Sequence, residues 1–258
     1  MSTVTVNLVA FQTILGKEIR RFLRIWQQTI LPPAITMSLY LLIFGSLIGS
    51  RIGEMGGYAY MDYIAPGVIM MAVITSSYSN VVSSFFGARH QRFVEEMLIS
   101  PTTHTVILLG YIGGGVARGL AVGVLVTIVA MLLADLRIHS LGVMVSVVFL
   151  TSVLFSLAGF INAVFAKNFD DIAIVPTFVL TPLTYLGGVF YSIELLSEPW
   201  QTLSRFNPIL YMVNGFRFGI LGVSDIHVSG AIAVIAVFVF GLFFFALMLL
   251  NRGVGIRA

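Results

Sequence analysis

The sequence predicts an all-α membrane protein: six transmembrane helices, an N-terminal amphipathic interfacial helix and a re-entrant helical segment before the last span. Three observations carry this. Of the 258 residues, 58% are hydrophobic and 10% charged, whereas soluble domains run to about 45–50% and about 25%. The mean hydropathy is +1.01. The apolar residues also come in runs of about twenty, the length of helix that crosses a hydrocarbon core about 30 Å thick. With so few charges the chain cannot clothe a water-facing surface of its size.

Residues 1–28 place Leu8, Phe11, Leu15, Ile19, Phe22 and Trp26 at steps of three and four, with Lys17, Arg20, Arg21 and Arg24 on other faces. That spacing describes a basic amphipathic helix suited to lie against membrane lipids at the interface, or to pack on a soluble partner. It does not read as a cleavable signal, because the basic cluster comes late and the apolar run after it is long enough to span. Pro32 and Pro33 are expected to break this helix and turn the chain into the first span. The spans are expected at about 29–49, 63–86, 107–133, 141–165, 172–190 and 231–250, in one domain covering 1–258 without internal repeats. The semi-apolar run 206–222, short and containing Pro208 and Arg217, reads as re-entrant or interfacial rather than as a seventh span.

Six spans put both termini on one side. With the termini inside, the inner segments hold nine cations: Lys17, Arg20, Arg21, Arg24, Arg89, Arg92, Lys167, Arg252 and Arg257. The outer segments hold four, Arg51, Arg137, Arg205 and Arg217. The excess makes both ends cytoplasmic.

Departures from apolar monotony mark where function can lie. In the second span Thr75, Ser76, Ser79, Asn80, Ser83 and Ser84 form one polar stripe. Hydroxyls and an amide facing lipid are costly, so the stripe serves hydrogen bonds between helices or lines a substrate path. Arg118 lies in the third span among Gly113, Gly114, Gly115 and Gly119, where an ionised guanidinium is either functional or snorkels to an end. Segment 88–101 reads as a short amphipathic helix, with Arg92 and Glu96 spaced to pair, Phe93 and Met97 on one face, and Pro101 as its stop. It could dock a soluble partner.

Several chemistries are excluded or thin. The chain has no cysteine, so it has no disulfide, thiolate metal site or cysteine nucleophile. His90, His104, His139 and His227 lack metal-ligand spacing, and Asp170–Asp171 beside Lys167 read as a solvated loop. No phosphate-binding loop or hydrolase motif is present, so the chain is not expected to be an enzyme or to hold ATP. The net charge of +3 is too small and too dispersed for a nucleic-acid partner. An ion-driven secondary carrier is the alternative transporter class. It would want acids deep in the spans, and none of the eleven acids is expected there, Asp62 lying at an outer end. A membrane-embedded enzyme lacks a catalytic cluster.

Three blocks carry a family resemblance. They are Tyr63-Ile64-Ala65-Pro66-Gly67-Val68-Ile69-Met70-Met71 opening the second span, Glu95-Glu96-Met97-Leu98-Ile99-Ser100-Pro101 after it, and Asn207-Pro208-Ile209-Leu210-Tyr211 followed by Arg217. In this order, with six spans and an amphipathic lead-in, they resemble ABC-2 type permeases over essentially the whole chain. The resemblance implies a permease of the bacterial inner membrane that pairs with a second copy of itself and with a dimer of ATPase subunits. ATP and Mg would be bound by that partner and not by this chain. It further implies ATPase coupling through Arg92, Phe93, Glu95, Glu96, Leu98 and Pro101. The substrate path would run along the dimer interface, and Asn207, Pro208, Tyr211 and Arg217 would belong to an element dipping in from the outer face. The transported molecule is not legible.

Overall fold

In the computed structural model, which describes residues 3–255, nearly every element is helical. Helix α1 spans Thr3–Arg24. Five helices are long and apolar enough to cross a bilayer: α2 (Trp26–Ile52), α3 (Tyr60–His90), α5 (His104–Leu133), α6 (Leu141–Phe165) and α10 (Val228–Arg252). The shorter elements are α4 (Phe93–Ile99), α7 (Asp171–Tyr185), α8 (Glu198–Arg205) and α9 (Pro208–Leu221). A two-residue hairpin pairs Glu54–Met55 with Tyr58–Ala59.

Helix α3 is the axis of the bundle, and its 31 residues are mostly buried against α5, α6 and α9. Helices α2 and α10 are mostly exposed, as lipid-facing helices are. The chain's ends gather at one end of the bundle. The Thr103 amide donates to Asn7 Oδ1 at 3.1 Å, His104 Nδ1 lies 2.6 Å from Asn251 Oδ1, and the Arg89 guanidinium donates to the carbonyls of Val164 and Ala166. At the opposite end Tyr58 donates to the Leu221 carbonyl at 2.6 Å, the Asp135 amide to Asp62 at 3.1 Å and the His139 amide to the Ile220 carbonyl at 3.1 Å.

Several expectations change. Pro32 and Pro33 do not break α1; they lie within α2, in the first turn of its stretch that restarts at Leu31 after Ile30, where a missing N–H loses no bond. The break falls at Ile25, with φ −111° and ψ 35°. The expected span 172–190 is helical only to Tyr185, because the chain turns through Gly187 and Gly188, the latter at φ +70°. Its 15 residues rise about 22 Å, less than a hydrocarbon core. Within it, Pro176 to Leu180 form a π-helical turn, and Thr181 Oγ1 donates to the Pro176 carbonyl at 2.9 Å. Arg257, one of the nine inner cations, lies outside the described residues.

Helix α7 begins beside the end of α6, where Asn162 Nδ2 donates to the Ile172 carbonyl at 3.3 Å. The chain after it reaches the level of Tyr60, whose hydroxyl donates to the Phe190 carbonyl at 3.0 Å. Helix α9 keeps to that far end. Its N-cap Asn207 donates to the Leu183 carbonyl at 2.6 Å, and Gly219 near its C-terminus abuts Met144 at the start of α6.

Candidate functional site

The polar stripe of α3 is two faces. Ser76, Asn80 and Ser84 are buried toward α1 and α5, whereas Thr75, Ser79 and Ser83 are open to various degrees. Thr75 and Ser83 satisfy their hydroxyls on α3 itself, through the Met71 carbonyl at 2.9 Å and the Ser79 carbonyl at 2.7 Å. Thr75 and Ser79 line a cleft of about 220 Å³ between α3 and α7. Tyr78, Thr177, Thr181 and Thr184 add hydroxyls to it, and none of its lining residues is charged. The Tyr78 hydroxyl accepts from Asn162 at 2.7 Å, which ties the cleft floor to α6. Beyond the cleft α7 presents Phe178, 73% exposed, and α2 presents Ile35, Leu39 and Leu47.

The other face of the stripe meets a charged cluster that spacing did not reveal. Glu18 of α1 is 0% exposed. Its carboxylate accepts from Ser84 Oγ at 2.6 Å and from Arg21 at 3.2 Å. Arg21 also donates to both the backbone carbonyl and Oδ1 of Asn80, each at 2.9 Å. Arg118, 8% exposed, donates from Nη2 to the Thr29 carbonyl at 3.0 Å, at the elbow between α1 and α2. Thr29 in turn donates to the Phe22 carbonyl at 2.8 Å. Asn80 and Arg118 thus bond α1 and its elbow, and neither they nor the buried Ser76 line the hydroxyl cleft. Within the five long apolar helices the one acid is Asp62, near the start of α3, as expected; the buried acid Glu18 comes instead from α1. Glu18 sits against Gly114, ten residues and about 15 Å along α5 from its start. The one available signal was that Glu18 is the single acid of a basic helix.

Segment 88–101 is not one helix: residues 88–90 close α3, and the separate helix α4 covers Phe93–Ile99. Arg92 stands before it in the left-handed region, φ 63°. The spaced pair Arg92–Glu96 therefore does not form; among the described residues the ion pairs are Arg21–Glu18 and Arg137–Asp135. Val94 is buried and Leu98 half-buried, while Phe93, Glu95, Glu96, Ile99 and Pro101 face outward. Ile99 is 87% exposed.

In the run 206–222, Asn207 caps α9 by accepting from the Ile209 amide at 3.0 Å, Pro208 occupies the first turn, and Tyr211 donates to the Arg205 carbonyl at 2.8 Å. Arg217 is 0% exposed. Its Nη2 donates to the Gly188 carbonyl at 2.6 Å, with longer contacts of 3.4 Å to Asn214 and the Tyr63 carbonyl, and its guanidinium lies 4.1 Å from the Tyr63 ring centre. Arg217 therefore knots the start of α3, the turn after α7 and α9 together; it is no loop charge. The Asp171 carboxylate accepts from the Lys167 amide at 2.7 Å and ties the loop before α7 to the first residue of that helix. Among the described residues no group of three or more histidines or acids is placed to hold a metal.

The family profile described as ABC-2 type transporter matches residues 9–221. The chain is 56% identical over 250 residues to the inner membrane transport permease YadH of Escherichia coli (strain K12), covering 97% of this chain and 98% of that one. It is 26% identical over 215 residues to nodulation protein J of Rhizobium leguminosarum bv. trifolii, covering 83% and 82%. A profile that covers most of the chain, together with a relative alike along nearly its whole length, establishes that this protein belongs to the ABC-2 type transporter family.

Proposed function

We propose that the chain is the transmembrane permease subunit of an ATP-binding-cassette exporter, moving its substrate across a bacterial inner membrane while a separate ATPase subunit binds ATP and Mg. Two copies would face each other across α2, α3 and α7, with the hydroxyl cleft of Thr75, Ser79, Thr177, Thr181 and Thr184 on the path. Membership of the ABC-2 family supports this reading, as does the name of the relative in Escherichia coli. In it, α7 with the turn after it makes the sixth crossing. Segment 206–222 is re-entrant, both of its ends contacting elements of the far end of the bundle. Both termini are cytoplasmic, on the excess of inner cations.

The observation that carries the ATPase partner is the outward face of α4. Phe93, Glu95, Glu96 and Ile99 project where the chain's ends gather, leaving two apolar side chains and two carboxylates exposed on one short helix. Arg92, Leu98 and Pro101 shape the turn on either side. Replacing Glu95 and Glu96 with Ala should leave thermal stability unchanged, because both are exposed, and should abolish co-purification with the ATPase subunit or its coupled ATP hydrolysis. Intact complex and coupled hydrolysis in that variant would remove the docking assignment. The ion-driven alternative now has a deep acid in Glu18, but that carboxylate is engaged by Arg21 and Ser84.

A further inference from the structure

Contacts between α1 and α5 keep constant step. Asn7 meets Thr103, Ile14 meets Gly110, and Glu18 meets Gly114, each pair 96 residues apart. Two helices in contact at equal increments run side by side in one direction, so α1 leans along α5 instead of lying loose across the membrane surface. Three α5 glycines make the seat. A methyl group on Gly110 would strike Ile14, on Gly113 would come within 2.9 Å of Leu15, and on Gly114 would strike Glu18. Into that seat α1 turns its only acid, while Lys17, Arg20 and Arg24 stay exposed. A helix that merely adsorbed to lipid headgroups would leave the carboxylate in water, since burying it unpaired is costly. Here the carboxylate is buried and paired, and Arg21 carries the link on to Asn80.

We infer that Glu18 and Arg21 are positioning residues of the permease. They lock α1 in a single register on α3 and α5, and Arg118 extends the lock to the elbow through Thr29, so that the start of α2 follows α3 and α5 as one body. A slip of α1 by one turn, about 5.4 Å, would part Glu18 from Ser84 and Arg21 from Asn80 together. Apolar contacts alone do not single out one register in this way. The consequence for transport rests on the permease reading above; the register does not.

The chain has no cysteine, so paired labels need no background removal. Spin labels at exposed Gln12 of α1 and exposed Ser83 of α3, as Q12C and S83C, read the register directly by pulsed electron resonance in lipid nanodiscs. The parent should give one narrow distance. Glu18→Gln leaves Arg21 without its carboxylate and can lower stability simply by doing so. The deciding variant is therefore Glu18→Leu with Arg21→Leu, which removes both charges and keeps apolar volume. It should restore the parent's melting temperature and still give a broad or multiple distance distribution. In complex with the co-purified ATPase subunit it should hydrolyse ATP at the parent's basal rate, with α2 no longer moving with α3 when nucleotide is trapped. A narrow, parent-like distance in the double variant would overturn the lock. A parent chain that binds no ATPase subunit would instead remove the permease reading and leave the register result standing.

Discussion

Arg217→Met tests what a fully buried cation without a carboxylate partner is for. Its direct contacts are neutral, namely the Gly188 carbonyl at 2.6 Å, the Tyr63 ring at 4.1 Å, and two contacts at 3.4 Å that are too long to weigh, while the Asp225 carboxylate acts on it through space without an ion pair. Methionine keeps much of the aliphatic volume and deletes the charge, so it also relieves the burial of an ion. What it leaves is an unpaired Gly188 carbonyl, worth about 1–3 kcal/mol. Asn214 Oδ1 keeps a donor, the Asp225 amide at 3.0 Å. The expected loss for Met is therefore about 1–3 kcal/mol, or roughly 2–12 °C in melting temperature for a chain of this size. Arg217→Lys is expected to be worse, about 3–5 kcal/mol, because it keeps a charge buried and replaces a planar fork with a point donor that cannot both reach Gly188 and stack on Tyr63. The assay is thermal unfolding in one detergent, read by intrinsic fluorescence and by loss of the monodisperse gel-filtration peak. The ordering parent, Met, Lys is the test. A Lys variant as stable as the parent, or more stable than Met, would refute the view that guanidinium geometry holds α3, α9 and the turn after α7 together.

Two further outcomes follow from backbone geometry. Arg92→Gly should raise thermal stability by up to about 1 kcal/mol, because a side chain at φ 63° is strained where glycine is not; a lower melting temperature would mean that the arginine side chain makes a contact that outweighs the strain. Gly159→Ala should sharply reduce the yield of monodisperse protein, because its Cβ would lie 2.6 Å from the Tyr78 carbonyl oxygen and push α6 off α3, whereas Gly241→Ala, with nothing within 4 Å, should express as the parent does.

The apolar segments were legible because burying apolar surface in hydrocarbon depends on composition over some twenty residues, which is local information. Residues 29–49, 63–86, 107–133, 141–165 and 231–250 all fall within long helices. The polar departures were legible as departures for the same reason; Asn207 bonds the end of α7 at Leu183 and Arg217 the turn after it at Gly188. Their partners were not. Ser84 is bound to a carboxylate 66 positions earlier, and Arg217 to a carbonyl 29 positions before it and to the Tyr63 ring 154 positions before it. No periodicity records such pairings. Local pattern also misled where one side chain had two uses, as with Arg92, whose helical spacing to Glu96 gave way to the turn that starts α4.

By itself, then, the sequence determined that the chain is a bundle of membrane helices, where most of them run, and which residues are out of place in lipid. The tertiary structure decided where those residues go. It split the stripe of α3 into a face bonded to α1 and a face open to the cleft, and it shortened the fifth apolar run to a helix ending at Tyr185. It also buried the lone acid of α1. The physical reason is that a polar group in an apolar medium must find a partner, and which partner it finds is settled by helices meeting across the bundle and not by its neighbours in the chain.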